Sequence, residues 1–515
     1  MAVIPEDKTL FKSLLLRAAE HASEKHDHCD EVSALPASPF PADLQSASAQ
    51  IKSFLALTLE EHGAGLGTTA EELFSIIAPS IANSAGPRYF GLVTGGVTPA
   101  AFVADWIVTT YDQNACMHSP EAMSGFSVID EQAMKMVVDL FKLPRYDTPK
   151  SHLSEDPNEI ATGHEDLRQR FKAMTTTGST ASNIVGMAVG RQWLGKEFFG
   201  VDYSEDGYDG RVVVITNMAH ATVWKAASIL GIGRKQVIEL PSLGSSIDGD
   251  ELEQEVIRQR NQGKAAMVFL SFGEVNTGIF PSYSRRVGEI CKKHNVYLHI
   301  DGAFGIYARC SPKYQHLADG LELAHSITAC GHKWLNVPYD CGLFLYRQVL
   351  EKPTMVSVFS SSAPYLKSVD GPHPHPLNIS IENSRRFRSL PVWATLRSYG
   401  RAGYESIVNE NCRFAKTMFD WMKDTRPDLY TVLADECPLN IVVFAKTSSQ
   451  EKSMETKSHE NQDLLNRINN TGVAYFSPTV WRGRPAIRAA ISNWRTTVDR
   501  DWPLVRQMLE EQGSK

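Results

Sequence analysis

The stretch "SITACGHKWLNVPYDCG" (326–342) places one lysine, Lys333, among apolar and small residues. An amine in apolar surroundings is favoured as the neutral nucleophile. The ordinary alternative is a lysine whose head reaches solvent. Three further stretches invite the same question. "VYLHIDGAFG" (296–305) ends an apolar run in Asp301, with Gly302 and Ala303 behind it. A carboxylate at such a buried end needs a partner. A protonated ring nitrogen serves, and so does a salt bridge or a helix cap. "MAHATVWKAA" (218–227) places His220 at a helix entry, as a ring that stacks on an aromatic ligand or as a capping histidine. "TTTGSTASN" (175–183) sets Ser179 and Thr180 at the start of a helical pattern. Hydroxyls and free N–H groups there suit a phosphate, or serve only as an N-cap.

The elements that position these residues follow from periodicity. "RVVVIT" (211–216), "AAMVFLS" (265–271), "NVYLHID" (295–301), "HSITA" (325–329) and "GLFLYR" (342–347) are short apolar runs without sustained polar alternation. They read as strands buried on both faces. Helical patterns intervene at 182–194, 221–230 and 282–294. Strands alternating with helices imply a mostly parallel sheet of βαβ units. The last two runs leave no room for a crossover helix and read as an antiparallel pair. In such α/β sheets, ligands bind beyond the carboxyl ends of the strands. Phosphate cup, stacking ring, carboxylate and lysine occur in that chain order, each at a strand end. Together they are what pyridoxal 5'-phosphate (PLP) requires: a Schiff-base lysine, an acid for the pyridine nitrogen and a phosphate anchor.

With these parts in place, the chain resembles the group II PLP-dependent amino-acid decarboxylases, the family of aromatic amino-acid and glutamate decarboxylases. The resemblance covers roughly residues 75–505. It is carried by "PRYFGLVTGG", "YDQN", "TGSTASN", "HATVWKAA", "HIDGAFG", "GHKWLNVPYDCG", "SRRFRSLPVWATLRSYG" and "PAIRAAISNWRTT", in that order. "HKW", with its lysine 32 positions beyond the "HIDGA" aspartate, is the most specific part. The resemblance implies a fold type I PLP-transferase architecture, an α/β fold with a mostly parallel seven-stranded sheet and a small C-terminal α+β domain. It implies decarboxylation of an L-amino acid to the amine and carbon dioxide, through an external aldimine and a quinonoid. By position, Lys333 forms the internal aldimine and His332 helps hold the phosphate, with Ser179 and Thr180. Asp301 pairs with the pyridine nitrogen, Ala303 packs on the ring and His220 stacks on its other face. Asn276, in "SFGEVNTG", is assigned to the 3-hydroxyl. The resemblance also implies a homodimer, with an N-terminal helical segment (1–110) packing on the partner, a PLP-binding domain (111–395) and a C-terminal domain (396–515).

The sequence departs from that family in two places. Family members acting on aromatic substrates carry a loop tyrosine before "RRFRSL". Here "LKSVDGPHPHPLNISIENS" (366–384) has none and offers His373 and His375, as a proton donor or as exposed loop residues. The missing tyrosine admits decarboxylation-dependent oxidative deamination to an aldehyde as an alternative product. Leu92, Val93 and Thr94 stand where relatives specific for aromatic substrates tend to place rings, so the substrate side chain is left open. Arg488 matches a family position near the active site and reads equally as a structural arginine. Two other readings are a PLP fold that only binds and another fold type I activity such as an aminotransferase or lyase. The intact Lys333, Asp301 and His220 oppose the first, and "HKW" with "SRRFRSL" opposes the second.

Bulk properties exclude other classes. The chain has 515 residues with a formal charge of −7, which leaves no electrostatic footprint for nucleic acid. Eight cysteines lie scattered without a CxxC pair, which suggests neither a zinc site nor a redox motif, and they read as reduced thiols in a reducing compartment. No apolar stretch approaches the about 20 residues of a membrane span. The first residues read as an amphipathic helix and not a cleaved leader, and the expected location is the cytoplasm. His26, His28 and Cys29 lie in "EKHDHCD" without metal-ligand spacing and read as a solvated loop. Residues 30–50, rich in Ser, Pro and Ala, read as a linking loop, and 145–168 as an exposed polar insertion.

Overall fold

The computed structural model describes residues 8–35, 58–59, 61–117, 125–147, 170–243, 246–281, 284–360, 374–448 and 453–515. Most of the polar insertion expected at 145–168, most of the 30–50 linker, and His373 lie outside them. Two compact units divide the chain. The larger holds Gly95–Lys416 and Ala434–Val442; the smaller holds Met1–Thr94, Thr417–Leu433 and Val443–Lys515.

The larger unit is built on seven strands. They are β1 (Phe171–Thr176), β2 (Val212–Asn217), β3 (Val237–Glu239), β6 (Ala265–Ser271), β7 (Tyr297–Asp301), β8 (Ser326–Cys330) and β9 (Gly342–Arg347), with a short ribbon of β4 (Ser242–Leu243) and β5 (Ser246–Ile247) apart. The sheet order is β1-β9-β8-β7-β6-β2-β3. Strands β3, β2, β6, β7 and β8 run parallel, while β9 is antiparallel to both β8 and β1. The mostly parallel sheet and the antiparallel last pair match the expectation from the apolar runs, and the count of seven strands matches what the resemblance implies. Every residue of β2, β7 and β8 is buried. Such burial stabilises the fold by about 1.5–3 kcal/mol per large apolar side chain. Two strands lie outside the apolar runs. Lys172 interrupts β1, and β3 spans only three residues.

Helices α1 (Lys8–Asp27), α2 (Pro99–Tyr111), α3 (Phe126–Leu140), α4 (Ser179–Leu194), α5 (Thr222–Ile229), α6 (Gly249–Asn261) and α7 (Ser284–Lys293) precede or intervene between the strands. Helix α4 packs closely on β7 because its face carries glycine at two positions four apart. A Cβ on Gly186 would stand 2.5 Å from His299 Nδ1, and one on Gly190 would stand 2.7 Å from a Tyr297 ring carbon. Caps fix other starts: Thr98 accepts from Ala101 N–H at α2, and Asp248 accepts from Asp250 N–H at α6.

In the smaller unit, β10 (Tyr430–Val432), β11 (Ile441–Lys446), β12 (Ser477–Trp481) and β13 (Arg484–Ala490) form a sheet in the order β10-β11-β13-β12. Its β10–β11 and β12–β13 pairs are antiparallel. The apolar "VAYFS" precedes β12, which begins only at Ser477; Tyr475 instead bridges to Tyr89 and stacks on it at 4.7 Å. Helix α8 (Ser389–Asp420) breaks its regular geometry at Gly400, where φ is 58°. Helices α9 (Met454–Asn470) and α10 (Val498–Gly513) complete the C-terminal part. Cys29 departs from the solvated-loop expectation. It is buried, and its carbonyl accepts from Asn83 Nδ2 at 3.1 Å. All eight cysteines are free thiols.

Candidate active site

Ser179, His220, Asp301, Ala303 and Lys333 line one cavity of about 390 Å³ in the larger unit. Each lies at or just beyond the carboxyl end of its strand, as the parallel sheet requires. Asp301 is the last residue of β7, and Lys333 follows β8 by three positions. The main chain at Lys333 is clamped. Asn336 Nδ2 donates to the Lys333 carbonyl at 2.9 Å, and a Cβ on Gly95 would lie 1.7 Å from that same oxygen. Its ammonium nitrogen sits 5.7 Å from the centroid of the Phe304 ring. Among the described residues it has no hydrogen-bond or ion-pair partner. Met218, also on the cavity wall, adopts φ of 47°, an unusual conformation for a side chain of its size.

Asp301 is buried and held from two sides. Asn183 Nδ2 donates to Oδ2 at 2.7 Å, and the Ala303 N–H donates to Oδ1 at 3.2 Å. His220 is exposed at the cavity mouth. The Thr222 N–H donates to its Nδ1 at 3.3 Å, and the Thr222 hydroxyl lies 2.9 Å from the same nitrogen. With Nδ1 accepting, the ring proton belongs on Nε2.

The phosphate-cup residues sit at the start of α4. Ser179 directs its N–H and hydroxyl at the Cys330 sulfur, a weak acceptor. Cys330 Sγ in turn lies 3.1 Å from His332 Nε2, while the Cys341 N–H donates to His332 Nδ1 at 3.3 Å. Burial pulls the His332 imidazole down to about 4, with the Lys333 charge adding to the effect. His332 is therefore a neutral N–H donor, stacked on Tyr339 at 4.1 Å. Gly178 and Gly342 allow this crowding, since a Cβ on Gly342 would stand 2.4 Å from the Gly178 carbonyl carbon.

His332 and Thr180 are not among the residues that line the cavity, and neither is Asn276. Asn276 Nδ2 donates to Glu274 Oε1 at 3.0 Å, within a turn whose Glu274 carboxylate also accepts from the Asn276 and Thr277 N–H groups and the Thr277 hydroxyl. Ser271, Gly273 and Val275 face the cavity from this loop instead. His375 is also absent from the cavity wall. The residues that sequence reasoning passed over are Asn183, Thr222, His299 and Cys330. Two were within reach of periodicity: Asn183 is one helical turn after Ser179, and His299 is two residues before Asp301 on the same strand face.

A second cavity of the same unit is larger, about 660 Å³, but its charges serve one another. Lys172 Nζ reaches both Glu351 oxygens, at 2.8 and 2.7 Å, and Arg385 pairs with Asp130 at 3.2 Å.

Residues 50–446 match the family model described as the pyridoxal-dependent decarboxylase conserved domain. The chain belongs to that family. Among relatives, an aromatic-L-amino-acid decarboxylase of Bacillus atrophaeus is 27% identical over 337 residues, 64% of this chain and 66% of that one. An L-2,4-diaminobutyrate decarboxylase of Acinetobacter baumannii is 29% identical over 352 residues, 65% of this chain and 67% of that one. The chain spans about half to two thirds of the length of the aromatic-L-amino-acid decarboxylases it matches from Bacillus atrophaeus and Drosophila simulans. The crystal structure of Oryza sativa TDC with PLP and tryptamine superposes with a TM-score of 0.80 at 20% identity, covering 98% of this chain and 99% of that one. That likeness establishes the fold type I architecture.

The site's own chemistry fits the family's cofactor. Hydroxyl and N–H donors at a helix start, a buried carboxylate and an amine with no hydrogen-bond or ion-pair partner among the described residues are the kinds of group that PLP needs.

Proposed function

We propose that this protein is a PLP-dependent carboxy-lyase that removes the α-carboxylate of an L-amino acid. The observation that carries the reading is the Lys333 amine, without a hydrogen-bond or ion-pair partner among the described residues, in the same cavity as Asp301 and His220. Lys333 would hold the cofactor covalently. Asp301 would pair with its ring nitrogen, Ala303 and His220 would flank the ring, and Ser179, Thr180 and His332 would hold its phosphate. Bound PLP supplies an aldehyde that condenses with amines and a ring that takes up the electron pair left when carbon dioxide departs. The remaining work belongs to the chain's own residues. Asp301, fixed by Asn183 and the Ala303 N–H, keeps its charge aimed at one place. His220, pinned through Nδ1 by Thr222, holds its ring plane, a positioning role. Lys333, anchored at its carbonyl by Asn336, would have only its side chain left to move when it releases or takes up the cofactor.

The assembly reading is a homodimer in the cytoplasm. Among the described residues no helix is long and apolar enough to cross a membrane. Helix α2 leaves Val103, Trp106, Ile107 and Tyr111 exposed, and α1 leaves Phe11, Leu15 and Leu16 exposed. Contiguous apolar faces of this kind mark interaction surfaces. The N-terminal segment would pack there on a second copy.

The test is carbon dioxide release from purified, PLP-loaded protein across a panel of L-amino acids, with products identified by mass spectrometry. Release with an amine supports the proposal and names the substrate class. Release with an aldehyde and ammonia replaces it with oxidative deamination. No release from any substrate overturns it.

A further inference from the structure

Behind the cavity lies a buried chain of hydrogen bonds that the reaction as described leaves unused. His299 is fully buried on β7, and burial pulls its imidazole down to about 4, so it is neutral. Its Nε2 lies 3.1 Å from Asn183 Oδ1. Asn183 Nδ2 must face Asp301, because an ionised carboxylate only accepts. That turns Oδ1 toward His299, and two acceptors cannot pair, so His299 Nε2 carries the proton. Its Nδ1 is then an acceptor, 2.8 Å from Ser326 Oγ, and Ser326 lies 2.8 Å from the Tyr297 hydroxyl. Sheet register supports this order, since His299 stands opposite Ser326 across β7 and β8.

The second hydrogen of Asn183 Nδ2 goes to Thr222 Oγ1 at 3.2 Å. The Thr222 hydroxyl, its oxygen already accepting, donates to His220 Nδ1 at 2.9 Å. One carboxamide thus touches both the cofactor's acid and, through one hydroxyl, the stacking histidine. Thr328 Oγ1 also lies 3.2 Å from His299 Nε2 and accepts from it beside Asn183 Oδ1, so the order of donors is kept. The ring that starts the chain is itself packed on Phe269 at 4.5 Å and admitted by Gly186.

We propose that Asn183, locked by His299, is a positioning residue that orients Asp301 and His220 together for the reaction at Lys333. The proposal rests on the decarboxylase reading, and its test separates the two. Asn183→Leu keeps the side chain's size and removes both donors. Asn183→Asp keeps the acceptor for His299 but sets a second carboxylate against Asp301, where like charges oppose. Each variant should bind PLP at least about tenfold more weakly and lose about tenfold to a hundredfold in kcat, with KM little changed. The absorbance of the bound cofactor should shift.

A readout without cofactor is the ¹⁵N spectrum of the His220 ring in apo protein. Wild type should show the Nε2–H tautomer; in Asn183→Leu the Thr222 N–H still holds Nδ1 as an acceptor, so the tautomer should stay while the ring-nitrogen shifts move as the Thr222 hydroxyl loses its donor. His299→Gln retains a donor for Asn183 and an acceptor for Ser326, so it should rescue what His299→Leu loses. Thermal melts of all four variants check folding, and the His299 pair remains informative should Asn183→Leu fail to fold. The proposal is overturned if Asn183→Asp and His299→Leu leave cofactor affinity, absorbance and the His220 ring nitrogens unchanged. Loss of the decarboxylase reading alone would instead appear as the same change in the His220 ring-nitrogen shifts in a protein without carbon dioxide release.

Discussion

Lys172 and Lys333 sit in the same unit, each on the wall of a cavity, and they differ in what their amines meet. Lys172 is buried with both oxygens of Glu351 around it, and Tyr346 donates to the same carboxylate at 2.8 Å. Lys333 is half-buried, has no such partner among the described residues, and looks across a carboxylate that Asn183 already occupies. A buried ion pair satisfies its own charge, so it can hold a fold but has nothing left to offer a ligand. An amine kept from partners offers a nucleophile. On this contrast the proposed chemistry belongs to the smaller cavity, and the charges of the larger one hold the fold. Volume alone would have ranked them the other way.

The comparison is broken most severely at Lys333. Lys333→Ala should remove turnover by at least about a thousandfold and abolish the absorbance of the covalently held cofactor, while the protein stays folded. Stopped assays and a spectrum of PLP-loaded protein check both. Wild-type turnover in that variant would refute the assignment.

At Lys172 the reverse is expected. Lys172→Met strands Glu351 without its cation and should cost about 3–5 kcal/mol in a denaturant titration. Turnover per folded molecule should stay at the wild-type value. The double variant Lys172→Met/Glu351→Leu removes both charges and should recover most of that loss. A fall in turnover as large as the one at Lys333 would show that the larger cavity is chemical after all.

The difference between the two lysines was only half legible in the sequence. Lys333 stands out because "HKW" follows a clean apolar run and Asp301 ends another. Strand β1 was hidden by Lys172 itself, since its partner Glu351 is 179 positions away and no local pattern links them. The same limit applies within the site. Ser179, His220, Asp301 and Ala303 come from strand ends and are brought to one cavity, as the alternating runs imply. Asn276 was drawn from the family's polar residue in that loop, yet the turn closes on Glu274 and shows Val275 to the cavity. Which side of a turn faces inward depends on hydrogen bonds three residues apart, which composition does not reveal. His299 was visible as the residue two before Asp301 but had no reason to matter until its cross-strand partner Ser326 was known.

A milder perturbation enters through packing. Gly186→Ala puts a methyl group where the His299 ring now lies, and the contact is with the rigid ring itself. Overpacking of this kind should cost about 1–3 kcal/mol. Because the displaced ring is the one that holds Asn183, the variant should also weaken PLP binding. Gly200→Ala makes a useful contrast. Nothing stands within 4 Å of its Cβ position, though its φ of 63° carries its own strain. It should lower stability without touching cofactor affinity.

The smallest expected effect concerns protons. His299 and His332 are pulled from 6.5 to about 4 by burial, and His325 to about 3. Between those values and 6.5 the unfolded chain binds protons that the native protein does not. Stability is then fully present above about 6.5 and falls as pH drops toward 4, with a slope of about 1.4 kcal/mol per pH unit for each histidine fully titrating. His299→Gln removes one of the three and should flatten the stability profile between pH 6 and pH 5 by about one proton, measured by urea unfolding at each pH. An unchanged slope would mean that His299 already carries a proton in the native protein. Nε2 and Nδ1 would then both donate, which Asn183 Oδ1 and Ser326 Oγ could each accept. The order of donors from Tyr297 to Asn183 would have to be rewritten from the strand outward.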